Sequence, residues 1–276
     1  MTRPRSSTRP LLLFATSLAL AVAWLAPADG APAPADGWSM GGHDKQNSRS
    51  NPDQTKLTTS NAAKLASKWT FTTHGDVSAT PAVVQGAVYF PDWAGYLYKV
   101  DAASGNLVWQ RKLSDYGYNT SADLASRTAP AIAGGTWFLG DQGGGGASPQ
   151  PGRVVAVDTA SGALKWSTVI NANPFTIITQ APVVHNGVVY VGTASAEENV
   201  AAFIPGYSCC YFRGSFSALD ARTGQVLWTT YTVPASSPGS TSRYSGGAIW
   251  GSTPALDIGA NTVSYTHLTL PTILRV

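Results

Sequence analysis

Charge is what this sequence has least of. Lys, Arg, Asp and Glu together supply 12% of its 276 residues and balance to only +3, about half the usual charged share. So thin a charge excludes a nucleic-acid binder and gives no argument for any other anionic partner. Histidine is scarce too, and His43, His74, His185 and His267 show no metal-ligand spacing. The run "GGGG" at 143–146 lacks the Lys-Ser/Thr pair of a phosphate loop. No Ser-His-Asp arrangement can be argued from this order.

Cysteine is nearly absent, and the two that exist are neighbours: Cys209 and Cys210 in "SCCYFRG". What they can do depends on the compartment. Arg3, Arg5 and Arg9 form a basic start, Leu11 to Leu25 an apolar run too short to span a bilayer comfortably, and Ala26-Pro27-Ala28 or Ala31-Pro32-Ala33 a cleavage site. Residues 1–33 are therefore expected to be a signal peptide, the alternative being an N-terminal anchor. No cysteine follows the apolar run, which argues against a lipoprotein. The mature chain is expected to be periplasmic or secreted, without stable membrane insertion. There a disulfide persists. A disulfide normally separates its Cα atoms by about 4.4–6.8 Å, and neighbours across a trans peptide lie only about 3.8 Å apart. Spacing alone thus leaves three states open: a bridge between neighbours, two free thiols, or a bridge to another chain.

Glycine (28) and tryptophan (9) are plentiful, as a turn-rich all-β chain requires. The pattern Asp-x-x-Ser/Thr-Gly-x-x-x-Trp occurs three times: "DAASGNLVW" at 101–109, "DTASGALKW" at 158–166 and "DARTGQVLW" at 220–228. Apolar alternation precedes each one, and further upstream a Pro-led hairpin ("TPAVVQGAVYF", "APAIAGGTWFL", "APVVHNGVVYVG"). A run of short strands repeating every 50 to 60 residues or so has propeller-blade spacing. The Asp caps a turn, the Gly takes a positive φ, and the Trp is expected to begin the outer strand, buried against the next blade. These residues are expected to be structural.

The repeat resembles the tryptophan-docking motif of quinoprotein dehydrogenases, eight-bladed propellers that bind pyrroloquinoline quinone (PQQ). Residues 36–71 are similar to that family's opening segment, which ends on a first docking tryptophan, here Trp69. The resemblance runs from about Asp36 to Val263. It implies an all-β fold: an eight-bladed quinoprotein β-propeller with tryptophan-docking motifs, incomplete, about four blades being present. Cofactor-free scaffolds of outer-membrane assembly share this propeller, so the motif alone does not make an enzyme.

Three stretches carry the resemblance to the enzymes. In "TQAPVVHNGVVYVGTASAEE", Thr179 and Ser195 fall on PQQ-contacting positions and Glu197 on the calcium ligand; Ala194 departs from the hydroxyl common there. The resemblance implies that Cys209 and Cys210 form a vicinal disulfide against one face of PQQ. In the methanol and ethanol dehydrogenases the pair lies a blade earlier than the Glu. The single-loop arrangement here is closer to polyvinyl alcohol dehydrogenases. Arg213 is then a candidate partner for a PQQ carboxylate, the alternative being an inter-blade arginine. In "SGGAIWGSTPALD", Trp250 matches the tryptophan that lies flat under PQQ. The implied activity is PQQ- and calcium-dependent oxidation of an alcohol, polymeric in the polyvinyl alcohol type, with cytochrome c as electron acceptor. The implied aspartate base and a second calcium ligand are expected beyond the residues that match. Residues 34–263 are read as the N-terminal half of the propeller. Residues 264–276, "SYTHLTLPTILRV", fit neither repeat nor turn chemistry and are read as a sequence artefact, the alternative being a divergent strand.

Overall fold

The computed structural model describes residues 37–117, 124–143, 149–236 and 244–268; the expected signal peptide lies outside them. Three four-stranded antiparallel sheets follow one another along the chain, each in simple sequential order. The first contains β1 (Ala82–Val84), β2 (Ala87–Pro91), β3 (Tyr96–Asp101) and β4 (Leu107–Lys112). The second contains β5 (Ala131–Ala133), β6 (Thr136–Gly140), β7 (Arg153–Asp158) and β8 (Leu164–Val169). Then comes β9 (Thr176–Ile177), which pairs outside the blades with β12 (Ala194–Ser195). The third sheet is built from β10 (Val183–His185), β11 (Val188–Gly192), β13 (Ser215–Asp220) and β14 (Val226–Tyr231). Between β12 and β13 lie α1 (Glu197–Phe203) and the cysteine loop, and a hairpin of β15 (Ala255–Asp257) and β16 (Thr262–Ser264) opens a fourth blade.

Strand periodicity sends alternate side chains to opposite faces, so a central blade is apolar on both. Trp137, Leu139, Val155 and Val157 pack toward the first blade, with Tyr89, Leu97 and Trp109. Their neighbours Phe138, Val154 and Ala156 pack toward the third, with Trp166, Ile178 and Leu219. The continuous run "TWFLG" is therefore one strand sandwiched between two blades.

The repeated turn works as its residues demand. Oδ1 of Asp101 accepts the backbone N–H of Ala103 and Ser104 and the Ser104 hydroxyl; Asp158 and Asp220 repeat the pattern on Ser161 and Thr223. The glycines that follow have φ of 77°, 72° and 73°. Each lies under a tryptophan of the preceding blade: a Cβ on Gly105 would sit 2.7 Å from Trp69, and one on Gly224 2.6 Å from Trp166. The indole N–H groups of Trp69, Trp109 and Trp166 donate to the carbonyls of Ala102, Thr159 and Ala221 at 3.0–3.1 Å. The docking tryptophan is third in its strand rather than first. Opposite it the ladder slips at Lys99/Val100, Ala156/Val157 and Ala218/Leu219, a bulge that sharpens the local twist and turns the ring toward its dock. Trp109 and Trp166 are 7% and 8% exposed, whereas Trp228 on β14 is 44% exposed.

Residues 38–47 cross the hub and touch all four blades. Trp38 bridges Val83, the Ser39 carbonyl accepts the Ile132 N–H, the Lys45 carbonyl accepts the Leu256 N–H, and Asn47 donates to the Thr253 carbonyl. Gly41 fits between Ala129, Ala181 and Thr253, each within 3.0 Å of where a Cβ would stand. Of the segment read as non-native, Ser264 closes β16, the Tyr265 ring stacks on Phe216 at 4.5 Å and 3°, and Leu268 donates to the Ala248 carbonyl at 2.8 Å. Residues 269–276 lie outside the described residues.

Candidate functional site

β11 ends at Gly192, and Thr193 holds the chain to the third blade, donating its N–H to the Ser215 carbonyl. Ala194 and Ser195 then pair with Ile177 and Thr176, and α1 begins at Glu197. Ser195 is buried and its hydroxyl accepts the Glu197 N–H at 3.0 Å. Glu197 is a glutamate with 1% exposure, a position that demands compensation of its charge. Oε1 accepts the Tyr207 hydroxyl and the Tyr211 N–H, both at 2.7 Å, and Oε2 accepts the Phe212 N–H at 2.8 Å. Burial and the neighbouring carboxylate hold the Tyr207 phenol well above its ordinary pKa, so it is a donor at any physiological pH.

Cys209 and Cys210 are joined to each other in the loop these bonds fix, so of the three open states the bridge between neighbours is the one present. From there the network continues. Phe212 accepts the Gly246 N–H at 2.7 Å, Gly246 accepts the Gly214 N–H at 2.8 Å, and Thr193 accepts the Ile249 N–H at 2.9 Å. Thr179, buried at the start of the third blade, accepts the Gly251 N–H on its hydroxyl at 3.2 Å. Trp250 packs half-buried on Ile177, Ala194, Phe212 and Ala248. Gly251 beside it has φ +46°, which favours a residue without a Cβ. One hydrogen-bonded network thus links Thr179, Ser195, Glu197, the cysteine loop and the Trp250 segment. Ala194, which departs from the family's hydroxyl, is fully buried in the apolar cluster, where a hydroxyl would need a partner.

Arg213 is directed elsewhere. Its Nε and Nη2 donate to the Val233 carbonyl at 3.2 and 2.9 Å, and its guanidinium lies 4.0 Å from the Tyr231 ring centroid. The side chain clamps the end of the third blade to the segment after it, and three of its five N–H donors remain for other partners.

The sequence reading missed two other guanidinium groups. A cavity of about 140 Å³ at the hub is lined by Arg49 and Arg127 together with Ser78, Thr80, Thr179 and Thr253. No acid lines it, and neither arginine has a carboxylate partner among the described residues. The Arg127 guanidinium instead faces the Trp93 ring at 5.8 Å. The signal was present in the repeat: "RTAP" at 127–130 stands where "TQAP" stands at 179–182, so Arg127 is the second-blade counterpart of Thr179.

The donors fit a flat polyanion. A hub cavity with two guanidinium groups and four hydroxyls suits carboxylates, and Trp250 directly precedes Gly251 of its lining. For a hard cation, three of the roughly four acceptor positions on Glu197 are in use and about one is left, room for a single contact. Among the described residues no three acids, histidines or cysteines cluster.

Sequential tryptophan-docked blades with a disulfide loop and a basic hub define a quinoprotein-type propeller. The chain belongs to the PQQ_2 family, whose model, described as "Outer membrane protein assembly factor BamB", matches residues 23–206. It is similar to the polyvinylalcohol dehydrogenase of Sphingopyxis sp. (strain 113P3), 30% identical over 211 residues, or 74% of this chain and 30% of that protein. The polyvinylalcohol dehydrogenase of a Pseudomonas sp is 29% identical over 198 residues, 72% of this chain and 29% of that one. The chain spans less than a third of the length of these relatives. Among solved structures, the quinohemoprotein alcohol dehydrogenase ADHIIG of Pseudomonas putida HK5 superposes with a TM-score of 0.62 at 24% identity, over 83% of this chain and 34% of that one. The fold is accordingly the quinoprotein propeller, represented in part.

Proposed function

We propose that this chain is the quinone-binding portion of a PQQ- and calcium-dependent alcohol dehydrogenase of the polyvinyl alcohol type, exported to the periplasm or beyond and delivering electrons to a cytochrome c. The observation that carries the reading is the joining of Glu197, the Cys209–Cys210 disulfide and the Trp250 segment in one network beside a basic hub. A cofactor-free assembly scaffold, the reading the family model's description favours, has no use for a disulfide between neighbours or for two arginines at its axis that lack a carboxylate partner among the described residues.

When bound, PQQ would supply a two-electron acceptor for alcohol oxidation, and calcium would supply Lewis acidity. The chain's own residues would do the rest. Arg127 and Arg49 would pair with carboxylates, and Arg213 would add a donor only through the N–H groups its bonds to Val233 leave over. Thr179 can donate its hydroxyl proton while accepting the Gly251 N–H. The disulfide and Trp250 would bound the two faces of a flat ring, excluding water from it. Ser195 fixes the first turn of α1 and with it Glu197, the protein's charged contact for the cation.

The test is reconstitution of the full-length protein that contains this chain. Added PQQ and calcium should quench tryptophan fluorescence saturably and support dye reduction by alcohols, polyvinyl alcohol included. Absence of both PQQ binding and dye reduction would leave the scaffold reading in its place.

A further inference from the structure

We infer that the Glu197 carboxylate and the Tyr207 hydroxyl form a latch that holds the Cys209–Cys210 loop in place, making Tyr207 a positioning residue for the disulfide. Only the purpose of the disulfide rests on the dehydrogenase reading; the latch does not.

Up to the disulfide, the loop between α1 and β13 has little else to fix it. Phe203 and Ile204 are 83% and 53% exposed, so burial contributes little there; beyond the disulfide the buried Phe212 and its bond to Gly246 tie the chain down. The backbone bonds before the disulfide are local: Ile204 to Val200, Tyr207 to Ile204 and Cys209 to Tyr207. Against these stand three bonds to one buried carboxylate, and they bracket the disulfide. Tyr207 reaches it from two residues before Cys209, and the Tyr211 and Phe212 N–H groups reach it from the two residues after Cys210. Tyr207 is aimed by its neighbours, edge-on to Phe175 at 5.8 Å and 90° and to Tyr211 at 6.3 Å and 85°. No cation lies within ion-pair distance of Glu197 among the described residues, so these donors carry its charge compensation. Bonds to a charged acceptor are stronger than neutral ones, and losing one raises local opening about tenfold or more.

The variants are Tyr207→Phe, which removes one donor and keeps the ring, and Glu197→Gln, which leaves one acceptor oxygen for three donors. The chain is followed by hydrogen exchange at the Tyr211 and Phe212 amides. In parallel, excess dithiothreitol reduces the disulfide, delivering two electrons and two protons to give two thiols and its own cyclic disulfide. Tyr207→Phe should speed both processes about tenfold and Glu197→Gln about a hundredfold, with an unchanged thermal midpoint for Tyr207→Phe. Exchange unchanged in Tyr207→Phe overturns the latch, even if Glu197→Gln fails to fold. Faster exchange with unchanged reduction overturns the positioning role. Faster exchange and reduction in a protein that never takes up PQQ supports the latch and removes the cofactor reading instead.

Discussion

Replacing Trp166 and Trp228 by alanine, one at a time, tests whether docking on the next blade is what these tryptophans contribute. The two occupy the same position in successive repeats and differ in what lies beyond them. Trp166 is 8% exposed, donates to the Ala221 carbonyl at 3.0 Å and lies face-on over Gly224. Its truncation should cost about 3–5 kcal/mol for the buried indole and about 1 kcal/mol more for a carbonyl stripped of its donor. Trp228 is 44% exposed, and its ring contacts are Tyr190 and Phe216 of its own blade, at 6.3 and 6.2 Å. With about half the burial and no docking carbonyl among the described residues, truncation in this chain should cost roughly 1–2 kcal/mol. A difference of about 3 kcal/mol, with a urea m-value of about 2 kcal/mol per molar, separates the two midpoints by roughly 1.5 M. Urea unfolding of both variants followed by far-ultraviolet circular dichroism reads this directly. Equal losses would refute the reasoning, since identical repeat positions would then matter for their place in the strand and not for the blade they meet.

Other outcomes follow from single positions. Gly162→Ala forces φ +72° on a residue with a side chain and puts its Cβ 2.8 Å from the Arg111 Cγ and 3.0 Å from the Trp109 ring; thermal unfolding should report a loss of about 1–3 kcal/mol. Burial pushes the Asp141 carboxyl up to about 7, only partly opposed by the N–H groups of Gly143 and Arg153. The fold therefore retains a proton that the unfolded chain gives up, and the stability this contributes is present below the ordinary carboxylate pKa and lost as pH rises toward about 7. Asp141→Asn should thus raise the melting temperature by several degrees at pH near 8 and leave it unchanged near pH 4. Arg127→Ala should weaken PQQ binding at least tenfold, measured by fluorescence quenching, and flatten its salt dependence; wild-type affinity would remove Arg127 from the carboxylates.

How far the sequence could be read depended on the range of the interaction. The Asp-x-x-Ser/Thr-Gly turn closes within five residues, so Asp101, Asp158 and Asp220 announced it three times over. The short apolar strands β6 and β7 were likewise legible, because strand period is a local property, but that both are buried on both faces is set by the blades on either side. The bulge that makes Trp109 third in β4 was not, since it depends on what the opposite strand does. Arg213 illustrates the same limit: only the fold shows that two of its N–H groups meet the Val233 carbonyl and its face meets Tyr231. Arg127 was overlooked because its place in the cavity arises only when segments far apart in sequence, at Ser78, Arg127, Thr179 and Thr253, meet at one hub.

The crossing of the hub by residues 38–47 also sets a schedule. Asn47 and Lys45 bond to Thr253 and Leu256, partners more than 200 positions away. A ribosome makes this strap before any of the blades and its Thr253 and Leu256 anchors only after the third, so the strap waits through the manufacture of three blades before it can settle. Each blade can close on its own hairpins in the meantime, but the axis stays open, and Gly41 has no finished slot to enter until Ala129, Ala181 and Thr253 all stand around it. The seating of this strap between finished sheets is then expected among the last steps of assembly, and whatever shields it while it waits governs how much of the chain reaches its native form.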